Sequence, residues 1–369
     1  MVLLFSFTGA APTELYPLAL HGAIPICGRP SPTYLYRRGD DTQPVRPVAP
    51  GIPTVLEDPQ HPYVVEAPRH ASPKTGRRLA LARWLTRPNH PLTARVLVNR
   101  IWQQQFGQGI VKTADNFGRL GTPPTHPELL DWLAVELVEH DWSIKHVHRL
   151  IVTSTAFRQG SAITTKHRLH DPDNGLLSRM PMRRLSAEEV RDSLLAVSGQ
   201  LSLRPFGIPD QVTVAKDGLV VAINSPQGRR RSIYVRQRRK EMPTLLETFD
   251  LPQMNPNCTQ RRNSTVVSQP LFLLNNRTVY ELAASFAVRV RSEVGDDPAA
   301  QFERAFLLAF SRQPADDERQ IGLQSLVELS KMWQNRADTD GDAKLPASQR
   351  ALADLCHTLL NSAAFLFVD

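Results

Sequence analysis

The sequence predicts a mainly α protein, with a multi-helix core, a small antiparallel β insertion and an extended proline-rich N-terminal arm. Three observations predict this fold class. Residues 1–75 are rich in proline and show no sustained apolar period. From residue 76 onward, apolar residues recur mostly at helical spacing, and short β-branched runs interrupt them near residues 209–236. We therefore expect an arm or linker at 1–75 and a helical domain at 76–369 that carries the β insertion.

Length and composition favour a globular protein with a basic surface. The 369 residues are 41% hydrophobic, which is enough for a substantial core. The formal net charge of +8 would attract polyanions such as nucleic acid, acidic polysaccharide or an anionic membrane surface. The three cysteines form no CxxC spacing and indicate no redox dithiol. No stretch approaches the roughly twenty apolar residues of a membrane span, so we expect no transmembrane segment.

The arm should be extended, because proline fixes φ and removes a backbone donor. Its first residues, MVLLFSFTGAAP, are apolar, but no Lys or Arg precedes them, and they make no convincing export signal. Helical spacing begins with Arg77–Leu85, where Leu81, Trp84 and Leu85 share a face. The turn around Pro88 should end this first helix.

The next helix, residues 91–106, should be a central core element. Apolar residues cover most of its circumference, a pattern typical of a helix that is buried on several sides. Asn99 and Arg100 lie in its middle, and polar groups at that depth must be paired. We therefore expect Arg100 to meet a carboxylate from a neighbouring helix.

Two capping boxes and a group of short apolar runs define the remaining elements. Thr125 with Glu128, and Ser186 with Glu189, have the spacing of a capping box at a helix start. The runs VTV, LVVAI and SIYV between residues 209 and 236 favour a small antiparallel hairpin or ribbon. Helical spacing then returns over residues 266–290, 297–310, 314–333 and 352–367.

Several long runs resemble a known family. They include RRLALARWLTRPNHPLTARVLVNRIWQQQFGQGIVKTADNF, MRRLSAEEVRDSLLAVSGQL, NPNCTQRRNSTVVSQPLFLLNN and LLNSAAFLFVD. Together they resemble the planctomycete PSD-one domain, also catalogued as domain of unknown function fifteen-fifty-three, over roughly residues 34–369. Members commonly form the C-terminal part of longer exported proteins, sometimes with a cytochrome c-like domain. The resemblance therefore implies export, which the N-terminal residues themselves do not indicate, and it implies no established activity.

The first candidate site is a set of carboxylates and arginines around one predicted helix. Glu188 and Asp192 are four residues apart, with Arg191 between them, so one helical face can display two carboxylates beside an arginine. Two close carboxylates can divide acid and base roles in glycoside hydrolysis. Buried ion pairs that fix helix packing produce the same pattern, and we favour that structural interpretation.

The second candidate is the arginine run RRRSIYVRQRRK at residues 229–240, followed by Arg261 and Arg262. On a β ribbon, alternation would point several guanidinium groups to one side, where they suit phosphate, sulfate or carboxylate. The alternative is a solvated edge strand whose charges discourage edge pairing. The two interpretations have equal support from the sequence.

We accordingly expect a binding or scaffolding module that engages an anionic polysaccharide or a partner protein through an arginine-rich face. The alternative is a carbohydrate-active hydrolase that uses Glu188 and Asp192, and whether the protein is an enzyme stays open. Nucleic acid is not expected, because Tyr234 is the only aromatic residue inside the basic run. The histidines lack metal-ligand spacing, so no metal or cofactor is expected. The candidate binding residues are Asn99, Arg100, Arg184, Arg191, Arg230, Arg231, Tyr234, Arg238, Arg262, Asn275 and Asn276.

Overall fold

The computed structural model describes residues 32–66, 75–223, 229–238, 240–253, 258, 260–261, 263–337 and 345–368. It divides into two compact units. The first takes in the described residues up to Val98 together with Asp131–Ser143, and the second takes in Asn99–Leu130 and the described residues from Ile144 onward. Helices dominate the described part, and its sheets have two strands each, so the predicted mainly α fold is confirmed. None of the described helices is long and apolar enough to cross a membrane.

The N-terminal arm is extended where it is described. Strand β1 (Tyr34–Tyr36) pairs antiparallel with β2 (Pro44–Pro47), which begins and ends with proline. Proline cannot donate to a neighbouring strand, so a two-stranded ribbon in which both strands are edges suits this sequence. None of residues 32–66 is buried, as expected for an arm without a core of its own.

Helix α1 (Arg77–Leu85) is followed by His90, whose side chain caps the start of the next helix. The Nδ1 atom of His90 accepts hydrogen bonds from the backbone N–H groups of Leu92 and Thr93 at 3.2 and 3.1 Å. The ring also lies edge-on to Trp84, with 4.6 Å between ring centroids. Burial, with a smaller effect of the Arg87 charge, lowers the pKa of His90. A neutral imidazole therefore takes the place that a serine or aspartate usually has at a helix start.

Helix α2 (Thr93–Phe106) buries Val98, Asn99, Trp102 and Phe106, so its predicted buried face is present. Arg100 is exposed and pairs with no carboxylate among the described residues, so the expectation that it meets a carboxylate from a neighbouring helix is wrong. The error has a physical reason. The apolar residues of this helix cover much of its circumference, but the side that carries Arg100 is open to water.

Asn99 is fully buried and fully paired, as expected for a polar group at that depth. Its Nδ2 donates to the carbonyl of Val111 at 3.0 Å, and its Oδ1 accepts from the Val111 N–H at 2.8 Å. Gly109 lies beside this amide, and a Cβ built there would come within 2.6 Å of Asn99 Nδ2. The chain after α2 is thus held against the helix by one side chain, next to a residue that must be glycine.

The first predicted capping box is not formed. Helix α3 (Pro127–Glu139) begins two residues after Thr125, whose hydroxyl donates to the carbonyl of Ile110 at 3.3 Å. The second box is formed at α6 (Ala187–Val197). Ser186 Oγ accepts from the Glu189 N–H at 3.4 Å, and the Glu189 carboxylate accepts from the Ser186 N–H at 2.7 Å.

The large hydrophobic core lies in the second unit and is built by helices α6 to α13. Phe249, Phe286, Leu194 and Leu352 are among its fully buried side chains. The remaining elements of this unit are α4 (Ile144–Thr153), α5 (Thr165–His170), α7 (Thr244–Thr248), α8 (Ser268–Asn275), α9 (Arg277–Val294), α10 (Pro298–Phe310), α11 (Asp316–Ala337), α12 (Ala347–Leu360) and α13 (Ala363–Leu366).

The last predicted helix, residues 352–367, is divided in the structure. Helix α12 ends at Leu360, Ser362 caps the short α13, and the chain then forms β6 (Phe367–Val368). This strand pairs antiparallel with β3 (Arg183–Arg184), which directly precedes α6. The described C-terminal strand is therefore fixed beside the segment that carries the first candidate site.

The predicted β insertion is partly present. Strands β4 (Val212–Val214) and β5 (Val220–Ala222) form an antiparallel hairpin. The SIYV run was expected to be a strand, and this is wrong: Ser232–Tyr234 form one 3₁₀ turn. Single bridges from Ser202 to Arg230 and from Asp210 to Val235 hold this turn alongside residues 202–210. We call residues 229–238 the arginine segment.

Candidate functional site

A buried ion pair anchors the arginine segment. The Nε of Arg230 lies 2.7 Å from Oδ1 of Asp210, and the two side chains are only 6% and 1% exposed. The guanidinium also donates to the carbonyls of Phe206 and Ile208 at 2.6 and 2.5 Å. The ring of Tyr234 lies against it, with 5.0 Å from Cζ to the ring centroid. Arg230 is thus satisfied by groups of the protein itself.

A second network holds the same segment to helix α6. Oδ1 of Asp192 accepts from the Ser232 N–H at 2.8 Å and from the Ser232 hydroxyl at 2.7 Å. The Arg191 guanidinium donates to the carbonyl of Arg230 at 3.0 Å and to Ser232 Oγ at 3.2 Å. Burial lowers the pKa of Arg191, and the nearby Asp192 charge opposes that change. Arg191 and Asp192, two residues of the first candidate site, therefore bind backbone groups of the arginine segment, which is the second candidate site.

Glu188 lies in a different pair. Its two carboxylate oxygens accept from Arg261 Nη1 and Nη2 at 2.6 and 2.8 Å, a bidentate arrangement. This hydrogen bond raises the pKa of Arg261. Glu188 and Asp192 are therefore both engaged by protein groups, Glu188 with a guanidinium and Asp192 mainly with Ser232.

Arg184 forms a separate cluster. It is buried and donates to Asp250 Oδ2 at 2.7 Å, to Gln269 Oε1 at 2.9 Å and to the carbonyl of Ser264. Asp250 has a φ of 67° and accepts from the Ser264 N–H and hydroxyl at 2.8 and 2.7 Å. Burial opposes ionisation, but the hydrogen bonds from Ser264 and Arg184 outweigh it and lower the pKa of Asp250. The cluster joins strand β3, the turn after helix α7 and the start of helix α8 with the loop before it.

The two asparagines at 275 and 276 have local roles. Asn276 caps helix α9, since its Oδ1 accepts from the Thr278 and Val279 N–H groups at 2.9 and 3.3 Å. Asn275 donates to the carbonyl of Leu271 within its own helix. Asn276 and Arg191 also line one small, mostly apolar cavity of about 70 Å³. Arg262, another candidate, lies outside the described residues.

Three arginines of the segment remain at the surface. The Arg231 side chain is 62% exposed, and its Nε lies 3.9 Å from Asp192. Arg236 is exposed and donates to Gln211 at 2.9 Å. Arg238 pairs with Glu241 at 2.6 Å, with both side chains partly exposed. The buried networks thus fix the backbone, and Arg231, Arg236 and Arg238 face solvent.

The sequence interpretation missed the partners that fix this segment. Asp210 is a single acidic residue in front of a β-branched run, and Ser232 lies inside an arginine run, so neither has a pattern of its own. The loop at residues 203–208, LRPFGI, was also missed. Its signal is the presence of apolar residues in a stretch whose Pro205 and Gly207 predict a turn.

The comparisons with known proteins place the chain by family. No curated protein and no solved structure matches it. The model of one family matches residues 77–326, which is more than half of the chain and includes the arginine segment and helix α6. The chain belongs to this family, PSD1, described as a protein of unknown function (DUF1553).

Proposed function

We propose that this protein is a binding module that engages an extended anionic partner through Arg231, Arg236 and Arg238. The observation that carries this proposal is the buried pair of Arg230 and Asp210. It fixes the backbone from which the three exposed arginines project. A fixed backbone reduces the conformational entropy lost on binding, which favours contact with several anionic groups at once.

The charge distribution supports the same proposal. Residues 199–209 and 229–238 contain no acidic residue. Asp210 follows directly, but its charge is buried against Arg230. A guanidinium suits phosphate, sulfate and carboxylate because its planar donors match their oxygens. Several such groups on one surface would bind a polyanion with a steep dependence on salt.

The hydrolase alternative receives no comparable support. Glu188 is held by Arg261 through two hydrogen bonds, and Asp192 is held by the backbone and hydroxyl of Ser232. A general acid or base must reach the proton that it transfers. Carboxylates that already hold structural elements together suit scaffolding better than catalysis.

Retention on immobilised heparin, measured in a salt gradient, tests the proposal. The variant Arg231→Gln/Arg236→Gln/Arg238→Gln should elute at lower salt than the unmodified protein. In a plot of log affinity against log salt concentration, the magnitude of the slope should fall by on the order of one for each arginine removed.

The matched control removes the same charge elsewhere. Arg83, Arg277 and Arg319 have side chains that are 63%, 90% and 50% exposed, each beside one glutamate. Their triple replacement by glutamine should leave retention close to that of the unmodified protein. If both triple variants lose retention equally, the binding follows net charge alone, and the proposal fails.

A further inference from the structure

We infer that the anionic partner is a phospholipid bilayer surface, into which the loop at residues 203–208 inserts apolar side chains while the neighbouring arginines bind headgroup phosphates. This inference rests on the proposed function, because it identifies the partner of the same arginine segment.

The loop exposes large apolar side chains beside the arginine segment. Leu203, Phe206 and Ile208 are 76%, 80% and 82% exposed, and Ile233 in the segment is 79% exposed. A single exposed apolar residue is ordinary, but four of them in two adjacent segments form a cluster. The segments are adjacent because Arg230 bonds to the carbonyls of Phe206 and Ile208.

The backbone bends at residues 206–208, which we call the tip of the loop. Phe206 and Gly207 have φ values of 60° and 88°, both in the left-handed region. That conformation is uncommon for a large aromatic residue and persists only where the surroundings impose it. Here the Arg230 guanidinium bonds to the carbonyls on either side of Gly207. The buried anchor of the arginine segment therefore also shapes the tip that presents Phe206.

Exposed cationic side chains lie in this loop and in the adjacent arginine segment. Arg204 lies within the loop and is exposed, and Arg231 and Arg236 lie in the adjacent segment. Peripheral membrane proteins combine buried apolar side chains with electrostatic attraction to anionic lipids, and each basic residue near the surface adds to binding. The same combination of apolar tip and basic surroundings is found here.

Shape favours a bilayer over a protein partner. The Phe206 and Ile208 side chains are 80% and 82% exposed, so a protein partner would need a matching pocket for each of them. The fluid interface of a bilayer accepts such a tip without a preformed pocket. A protein partner would also have to supply acidic groups around the pockets, whereas an anionic bilayer provides them as a continuous surface.

Co-sedimentation with phospholipid vesicles tests the inference. The unmodified protein should bind vesicles that contain phosphatidylglycerol and should bind pure phosphatidylcholine vesicles much more weakly. Phe206→Ser/Ile208→Ser should weaken binding to the anionic vesicles by about tenfold for each side chain removed. Its retention on heparin should not change, because no arginine is removed.

The control is Leu120→Ser/Leu176→Ser, which removes two other side chains that are 91% and 69% exposed. This variant should bind anionic vesicles like the unmodified protein. Phe206→Trp supplies a second measurement, since its added fluorescence should shift to shorter wavelength and be quenched by brominated lipid when anionic vesicles are present. These readouts require only that the chain be folded, which circular dichroism verifies for each variant.

The outcomes separate the two proposals. If Phe206→Ser/Ile208→Ser binds anionic vesicles as well as the unmodified protein, or the fluorescence added by Phe206→Trp is not quenched, the lipid inference is overturned. If heparin retention nevertheless depends on Arg231, Arg236 and Arg238, the proposed function stands with a different partner. If retention is indifferent to those arginines, the proposed function itself fails.

Discussion

Loss of one partner of the buried Arg230 and Asp210 pair should destabilise the protein strongly. Asp210→Asn keeps the shape of the side chain but removes its charge, so the guanidinium of Arg230, 6% exposed, stays buried without its counter-ion. Removing one partner of a buried pair costs about 3–5 kcal/mol, because the remaining charge is desolvated and uncompensated. The carbonyls of Phe206 and Ile208 still accept from Arg230, which favours the lower end of that range.

An exposed ion pair in the same region supplies the control. Arg238 and Glu241 are 2.6 Å apart with side chains 45% and 38% exposed. Water and salt screen such a pair, so Glu241→Gln should cost less than about 1 kcal/mol. Replacing both buried partners, as Arg230→Met/Asp210→Leu, should recover much of the stability lost in Asp210→Asn, since no unpaired charge remains.

The assay is urea-induced unfolding, with the free energy of unfolding obtained by linear extrapolation for each variant. A cost for Asp210→Asn as small as that for Glu241→Gln would refute the claim that the pair is an anchor. Heparin retention of Asp210→Asn provides a second, independent test of the anchor. Asp210→Asn makes the protein more positive by one charge, so simple electrostatics predicts tighter retention, whereas a disordered arginine segment predicts weaker retention.

Two further predictions concern the helix α2. Asn99→Ala should lower the free energy of unfolding by about 2–3 kcal/mol, because it leaves the buried N–H and C=O of Val111 unpaired. A urea titration that shows a loss of less than about 1 kcal/mol would contradict this role of Asn99. The second concerns His90, whose pKa is lowered by burial and by the Arg87 charge. The contribution of neutral His90 to the free energy of unfolding should be fully present above the ordinary histidine pKa of about 6.5. It should be lost as the pH falls through the lowered pKa of the folded protein, because the unfolded chain binds the proton more readily than the folded protein does. His90→Gln should flatten the dependence of unfolding free energy on pH in this range, and an unchanged dependence would rule out His90 as its source.

Local sequence signals predicted part of this fold well. The Ser186 and Glu189 box gave the start of α6, because both of its hydrogen bonds lie within four residues of chain. Asn99 was expected to be paired because it lies in the middle of a helix with apolar residues on several sides, and it is buried and paired. His90 was missed as a cap, because histidine is not among the residues that usually begin helices.

Contacts between residues that are distant in sequence determined the features of the fold that the sequence did not predict. The β-branched SIYV run became a 3₁₀ turn because Asp192, forty residues earlier, binds the Ser232 N–H and hydroxyl. Strand propensity depends on context, and here that context was not local. Arg230 likewise gave no sign in the sequence that it differs from its neighbours. Its burial depends on Asp210, twenty residues away, and this pairing separates one anchoring arginine from the exposed ones.

Arginine footprinting of the unmodified protein tests the central claim most directly. The protein is treated with phenylglyoxal with and without heparin, and modification at each arginine is measured by mass spectrometry. Heparin should protect Arg231, Arg236 and Arg238, while Arg83 and Arg277 should react equally in both samples. Protection spread evenly over all exposed arginines, or confined to sites outside residues 229–238, would contradict the account.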